Sequence, residues 1–168
     1  MKKQRIMKKL SICIPTYNRS EYLNNCLNSI FLNNINLSEI DICISDNNST
    51  DNTSEVVIAY ENKLNIKYIK NTKNIGVAQN ILKVVGLSDS EFCWIIGDDD
   101  LLLNDGVKTV LKLLNQYKGT DYFYINSYNL NKQVLKNHKF PINPSLIKEK
   151  MYRFSNNFND FDCNFIDL

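Results

Sequence analysis

Apolar residues along this chain follow two alternating rhythms. Short continuous apolar runs at Leu10 to Ile14, Ile40 to Ile44, Ile66 to Ile69, Phe92 to Ile96 and Tyr122 to Ile125 predict five strands. Between them, apolar positions recur at helical spacing: Leu23, Leu27 and Ile30; Val56, Val57 and Tyr60; Val77, Ile81 and Val84-Val85; then Val107, Val110, Leu111 and Leu114. Asn104 stands where the last helix would take its N-cap, and Pro15 where the first strand would end. Strands alternating with single helices predict βαβ units, and hence an α/β fold with a mostly parallel sheet flanked by helices.

Ligands of such sheets bind beyond the carboxyl ends of the strands. The polar clusters of this sequence sit at those ends: Thr16 to Arg19, Ser45 to Asp51, Asn71 to Gly76 and Gly97 to Asp100. A parallel sheet would gather them along one edge, although they are scattered in the sequence. The pattern loosens after about Ser127. Residues 1–126 therefore read as one α/β unit and 127–168 as an irregular C-terminal segment, with no internal repeat.

The 168 residues suffice for one domain with a real core, and 43% hydrophobic with 23% charged residues is ordinary for a globular chain. A net charge of +2 is far from the basic excess of a dedicated nucleic-acid binder, so no nucleic-acid partner is expected. Cys13, Cys26, Cys43, Cys93 and Cys163 are odd in number and lack CxxC spacing, which argues against a zinc site or disulfide framework. Cys13, Cys43 and Cys93 lie in apolar runs, where buried thiols are expected, and a reducing cytoplasm fits. The start MKKQRIMKKL is basic, but SICIP after it is too short for a signal-peptide core. No stretch reaches the roughly 18 apolar residues of a membrane span. Lys2, Lys3, Arg5, Lys8 and Lys9 could touch an anionic membrane surface; the blander reading is a solvated terminus.

The strongest chemical signal is Trp94-Ile95-Ile96-Gly97-Asp98-Asp99-Asp100. Three adjacent carboxylates at a strand end repel one another unless a cation or strong donors compensate. Mg²⁺ takes one or two carboxylates and fills its shell with water and substrate phosphates. If the run is extended, Asp98 and Asp100 point one way and Asp99 the other. Next comes Ser45-Asp46-Asn47-Asn48-Ser49-Thr50-Asp51, in which Asp46, held by its strand, could accept from a base N–H or ribose hydroxyls. Asn47 to Asp51 read better as turn chemistry, with Asp51 or Thr53 capping the next helix. In Pro15-Thr16-Tyr17-Asn18-Arg19, Tyr17 could stack on a nucleobase and Arg19 could meet phosphate. In Lys73-Asn74-Ile75-Gly76 the glycine permits a tight turn into a helix whose start could face an anion. His138, alone in a polar loop, reads as solvent-exposed. The motifs of hydrolase elbows, P-loops and dinucleotide folds are absent.

Together, and in this order, these segments resemble the family 2 glycosyltransferases of the GT-A fold. Pro15, Tyr17 and Asn18 match its P-x-Y-N, Asp46 to Asp51 its D-[DN]-x-S-x-D, Asn74 to Gly76 its N-x-G, Asn80 a downstream Asn, and the aspartate run its D-x-D metal motif. The resemblance covers roughly residues 9 to 126. It implies that Pro15, Thr16, Tyr17 and Arg19 line a nucleotide pocket, with Asn74 in the same nucleotide-sugar-binding set. Asp46 would contact the base, usually uracil, and Asp98 the ribose or donor sugar. Asp99 would bind Mn²⁺ or Mg²⁺, with Asp100 as second-choice ligand. Gly97 stands where the commonest metal motif has its first aspartate, and Gln79 where an arginine is frequent. The family's catalytic base lies in its second half. Asp160, Asp162 and Asp167 sit in no recognisable base motif, so no catalytic residue is assigned.

The resemblance implies inverting sugar transfer from a nucleoside diphosphate sugar, UDP-linked, to a hydroxyl of a glycan or lipid-linked acceptor in surface polysaccharide synthesis, in the cytoplasm or at the inner face of the membrane. The competing reading is a non-catalytic nucleotide-sugar-binding fragment, with 127–168 the start of a truncated acceptor half. Surface left uncovered in that case would favour a homodimer. A receiver-like signalling domain is a third reading, but Ile69-Lys70-Asn71 offers no phosphoacceptor Asp.

Overall fold

The computed structural model of the chain describes residues 7–125. Eight elements alternate along it: β1 (Leu10–Thr16), α1 (Ser20–Leu32), β2 (Ile40–Asp46), α2 (Thr53–Glu61), β3 (Ile66–Lys70), α3 (Val77–Val85), β4 (Phe92–Ile95) and α4 (Gly106–Gln116). The strands form one four-stranded sheet in the order β3-β2-β1-β4. Every neighbouring pair is parallel. All carboxyl ends therefore lie on one edge, as the alternating pattern predicts.

The central strands explain their own composition. β1 and β2 are covered on both faces, and a strand buried on both faces reads as a continuous apolar run. On one face, Leu10, Ile12, Ile14, Ile40, Ile42 and Ile44 meet Leu23, Leu27 and Ile30 of α1, Val57 and Tyr60 of α2, and Val107, Val110 and Leu114 of α4. On the other, Cys13 and Cys43, paired across the two strands, pack under Val84 of α3.

β1 does not end at Pro15 but runs through it to Thr16. The reason is directional. The carbonyl of Cys13 accepts from Ile96 on the β4 side, and that of Thr16 accepts from Asn47 on the β2 side. Odd positions of β1 thus face β4, whose pairing stops at Cys13↔Ile95. The N–H that Pro15 lacks would have pointed where no partner strand remains, so proline costs the ladder nothing there.

The expected faces and caps shift in four further places. In α3 the buried residues are Asn80 and Val84, whereas Val77 is 75% exposed. The helix sits on the sheet through an amide: Asn80 Nδ2 donates to the Ser45 carbonyl (2.8 Å), and its Oδ1 accepts from the Ser45 hydroxyl (2.7 Å) and Asn71 Nδ2 (3.0 Å). Asn104 caps nothing. Asp105 precedes α4 in a left-handed conformation, and Val107 N–H is instead served by Asn33 Oδ1 from just beyond α1. Cys93 is exposed, because it lies on edge strand β4. Tyr122 to Ile125 alternates as a strand should, with Phe123 and Ile125 packed on the core and Tyr122 and Tyr124 exposed. Only Ile125 makes a bridge, so no fifth strand forms among the described residues. Segment 127–168, with His138, Cys163 and the late aspartates, lies outside them, as do Lys2, Lys3 and Arg5.

Two of the N-terminal lysines are fixed in ion pairs. Lys8 pairs with Asp41 (2.6 Å), which also meets Lys67 (2.9 Å), and Lys9 pairs with Glu91 (2.8 Å). Burial would raise the Asp41 carboxyl, but the two lysines outweigh it and hold it below its ordinary value.

Asn80→Ala leaves the buried Ser45 hydroxyl without its acceptor and takes one of two acceptors from the Asn71 amide. The expected loss is about 2 kcal/mol, because buried polar groups left without partners cost more than the lost bond itself. Urea denaturation reads it as a lower midpoint at unchanged slope.

Candidate active site

The loops after all four strands meet on the carboxyl edge, and each is tied to its neighbours. The loop after β1 makes a tight corner at Asn18, in a left-handed conformation. Its N–H donates to Ser49 Oγ (2.8 Å), while its side-chain oxygen accepts from the Thr50 N–H (2.7 Å). Asp51 serves the start of two helices: its carboxylate accepts from the Ser20 N–H of α1 (2.8 Å) and the Thr53 N–H of α2 (3.2 Å). Turn and cap chemistry is therefore what the segment after Asp46 does.

A second tie joins the loops after β2 and β3 through four asparagines. Asn47 Oδ1 accepts from the Ile75 N–H (2.9 Å) and from Asn71 Nδ2 (3.2 Å). Asn74 Oδ1 accepts from Asn47 Nδ2 (2.9 Å) and the Gly76 N–H (2.9 Å). The backbone donors fix which end of Asn47 is oxygen, and the Ser45 carbonyl does the same for Asn80. Asn71 must then turn its nitrogen to both, which leaves its buried Oδ1 without a protein donor. Gly76 takes φ of +83°, so only a residue without a Cβ enters α3 this way unstrained.

Asp46 is fully buried at the end of β2. Its Oδ1 accepts from the Ser49 N–H (2.7 Å) and its Oδ2 from the Tyr68 hydroxyl (2.9 Å). Burial, with Asp46 adding to it, pushes the Tyr68 hydroxyl up to about 12 against a hydrogen bond from Ser54. In this arrangement the Asp46 carboxylate offers no exposed surface to a base, and it shapes the loop from beneath. Asn74 is exposed, and its Oδ1 holds both its own turn and Asn47 of the neighbouring loop.

The aspartates after β4 are not extended. Asp100 N–H bonds back to the Gly97 carbonyl (3.2 Å), closing a turn that sends the three side chains to different places. Asp98 goes inward and is buried, with Oδ2 accepting from Thr16 Oγ1 (2.7 Å) and Oδ1 from Arg19 (2.9 Å). Burial raises the Asp98 carboxyl above its ordinary value, although Thr16 and Arg19 oppose it. Asp99 stays at the surface, with Oδ2 on the second arm of the Arg19 guanidinium (3.0 Å). Asp100 folds back so that Oδ2 accepts from the Gly97 N–H (2.7 Å). Tyr17 is exposed on the same rim, and Tyr22 lies under Arg19, ring centre to guanidinium carbon 4.8 Å. Beneath the turn, burial and the three aspartates keep the Cys26 thiol protonated.

Among the described residues no three acidic, histidine or cysteine side chains converge into a ready-made cation cage. The donor set is still suited to a metal that completes its shell with phosphate and water. A Cβ built on Gly97 would lie 2.6 Å from Asp99 Oδ1 and 3.2 Å from Asp100 Oδ2. Two carboxylate oxygens thus close over the one residue of the turn without a side chain, and they are hard oxygen donors, the chemistry Mg²⁺ and Mn²⁺ select.

The glycosyl transferase family 2 profile matches residues 11–166. The chain belongs to that family. The abequosyltransferase RfbV of Salmonella typhimurium is 48% identical over 103 residues, which are 58% of this chain and 30% of that protein. The poly(ribitol-phosphate) β-N-acetylglucosaminyltransferase TarS of Staphylococcus aureus is 28% identical over 114 residues, 66% of this chain and 20% of its own length. The chain thus spans less than a third of either relative. The crystal structure of TarS 1–349 in complex with UDP superposes with a TM-score of 0.69 at 27% identity, covering 73% of this chain and 36% of that one. The mannosyltransferase PcManGT of Pyrobaculum calidifontis, in complex with GDP-Man and Mn²⁺, shares the fold at 17% identity (TM-score 0.62). The parallel sheet with its flanking helices is the GT-A arrangement of this family, as the sequence resemblance implies. Among the described residues, no helix is long and apolar enough to cross a membrane.

Thr16, Arg19, Asp98 and Asp99, spread over 84 positions of sequence, come together in one hydrogen-bonded group. Pro15 and Tyr17 flank it. Sequence reasoning missed Ser49, Tyr68 and Asn71 as the residues that hold Asp46 and the asparagine layer. Only Asn71 carried a signal, as a polar residue directly after an apolar strand.

Proposed function

We propose that this chain forms the donor half of an inverting, metal-dependent glycosyltransferase of surface-polysaccharide synthesis. It takes a nucleoside diphosphate sugar, UDP-linked, and serves a glycan or lipid-linked acceptor. The observation that best supports this is the Thr16–Asp98–Arg19–Asp99 group at the β1 and β4 ends, beside the two carboxylate oxygens that close over Gly97. TarS, crystallised with UDP, supports the choice of nucleotide.

Each residue has a part that follows from its placement. Tyr17 offers an exposed aromatic face for the base, and Pro15 and Thr16 form the floor below it. Asp98, fixed by Thr16, orients the ribose or the sugar. Arg19, half exposed, is the cation placed to reach the diphosphate, since a guanidinium fork matches two phosphate oxygens. Asp99, with Asp100 behind it, would hold Mn²⁺ or Mg²⁺, which when bound supplies positive charge against the departing diphosphate. Asp46 acts from behind, and Asn74, exposed beside the nucleotide-sugar site, keeps the loops after β2 and β3 in register. Among the described residues we assign no catalytic base, so a second reading, donor binding without transfer, shares every residue of this site. Membrane contact through Lys2, Lys3 and Arg5 at the cytoplasmic face, and a homodimer, belong to the same proposal.

Calorimetric titration of UDP into the full chain with and without Mn²⁺ tests the site. Metal-dependent binding is expected; no binding of UDP, GDP or dTDP under any metal condition would overturn it. Release of UDP from UDP-sugars, with and without acceptor glycans, then separates transfer from binding alone.

A further inference from the structure

Among the described residues Arg19 is the one cation bonded to the aspartate turn, and it is bonded twice. Its two terminal nitrogens reach Asp98 Oδ1 at 2.9 Å and Asp99 Oδ2 at 3.0 Å. The two carboxylates differ in what they need. Asp98 is buried, is fixed from the other side by Thr16, and cannot turn away. Asp99 is 48% exposed, and Arg19 is 44% exposed, with its guanidinium over the face of Tyr22. The Asp98 arm is the anchored half of this fork and the Asp99 arm the releasable half, since an exposed ion pair is worth only about 0–1 kcal/mol.

A guanidinium on one oxygen of a carboxylate and a divalent cation on the other repel each other and compete for its charge, and here Arg19 holds Asp99 Oδ2 while Oδ1 lies over Gly97. We propose that Arg19 is the site's own counter-cation: in the free protein it occupies Asp99 and restrains metal entry, and the donor's diphosphate draws it off. Metal and donor therefore bind with positive coupling. The proposal rests on the donor-site reading above. A diphosphate offers the fork two oxygens of higher charge than a half-solvated carboxylate, and the move requires only a side-chain rotation about an exposed stem. Once Arg19 leaves Asp99, both of that carboxylate's oxygens can serve a metal. Because linkage is reciprocal, the factor by which UDP tightens Mn²⁺ equals the factor by which Mn²⁺ tightens UDP.

The experiment titrates Mn²⁺ into the full chain and follows the paramagnetic resonance signal of the free ion, with and without UDP. Wild type, Arg19→Gln and Arg19→Lys are compared, with melting curves to confirm that each folds. Arg19→Gln removes the cation, and it is expected to bind Mn²⁺ alone about tenfold or more tighter than wild type. Arg19→Lys keeps the charge and loses the fork, and it is expected to show a smaller gain of the same sign. UDP is expected to tighten Mn²⁺ binding to wild type by a larger factor than in Arg19→Gln. Adding Asp99→Asn to Arg19→Gln is expected to remove the gain.

Equal Mn²⁺ affinity in wild type and Arg19→Gln, with Mn²⁺-dependent UDP binding intact, would overturn the proposal and leave the donor site standing. A gain in Arg19→Gln with none in Arg19→Lys would mean that net charge acts without any latch, and it too would overturn the proposal. So would a gain that survives Asp99→Asn, which would place the ion elsewhere. Failure of the donor-site reading looks different: UDP would then bind no variant at any Mn²⁺ concentration, and the coupling would fall with it.

Discussion

Asp51→Ala is expected to lower the stability of the domain by about 3 kcal/mol, more than any other single change on the carboxyl edge. One carboxylate accepts from the first N–H of α1 and the first N–H of α2, so its removal uncaps two helices at once. Each N-cap is worth about 1 kcal/mol, and hydrogen bonds to a charged group reach about 1.5–3 kcal/mol. For a chain of this size the melting temperature should fall by roughly 10 °C. Burial acts to raise the Asp51 carboxyl, but the bonds from Thr53 and Ser20 outweigh it and hold it below its ordinary value. A depressed folded-state pKa means that this contribution is whole above about pH 3.9, the unfolded value, and disappears as pH falls through the folded one. The gap between wild type and Asp51→Ala should therefore be constant from neutral pH down to the carboxylate range and then narrow. Asp51→Asn, which keeps an acceptor and loses the charge, should cost about 1 kcal/mol. A full-size gap persisting at pH 2 would contradict the assignment. Asp98 carries the opposite sign: its raised value makes its ionised form a cost that grows as pH climbs through the folded pKa.

Asp99→Ala is expected to leave the fold intact and to weaken Mn²⁺-dependent UDP binding by at least about 100-fold. Its side chain is half exposed and makes one surface ion pair, worth at most about 1 kcal/mol to stability. Its place over Gly97 is the reason for the large functional effect, because no neighbouring carboxylate can reach across for it. Asp98 is locked inward by Thr16, and Asp100 is held by the Gly97 N–H. Losses of about 100- to 1,000-fold follow when a single preorganised electrostatic group is removed from such a site. Titration of UDP with saturating Mn²⁺, beside a melting curve, checks both halves. A drop in melting temperature of more than a few degrees would mean that Asp99 is structural.

The alternation of apolar runs and helical spacing was enough to place four strands, four helices and the edge on which the loops meet, because each of those features is local. What escaped was directional or long-range. Pro15 reads as a strand end until one knows that its missing N–H faces a side where β4 no longer pairs. Asn80 reads only as the downstream Asn of the family pattern until the Ser45 carbonyl beneath it comes into view. In the site, residue types pointed to the side chains that come together, but not to their depth. Asp46 and Asp98 look equally available in the sequence and are both buried; Asp98 is reached through Arg19, while Asp46 is closed in by Ser49 and Tyr68. The aspartate run is legible as a candidate cation site, but its turn, which separates the three side chains, depends on Gly97 and a hydrogen bond that spacing does not encode.

The strand order has a consequence for how the molecule comes into being. β1, β2 and β3 are made first and can pair as soon as they leave the ribosome, but the central strand β1 must wait for β4 on its other side. Thr16 and Asp98 lie 82 positions apart. At roughly 5–20 residues per second, synthesis leaves that flank of β1 open for several seconds or more, with Leu10, Ile12 and Cys13 in a half-built sheet. The bond that assembles the site is therefore a late one among those of the described residues, and the unfinished edge is where a chaperone, or a second nascent chain, would find it.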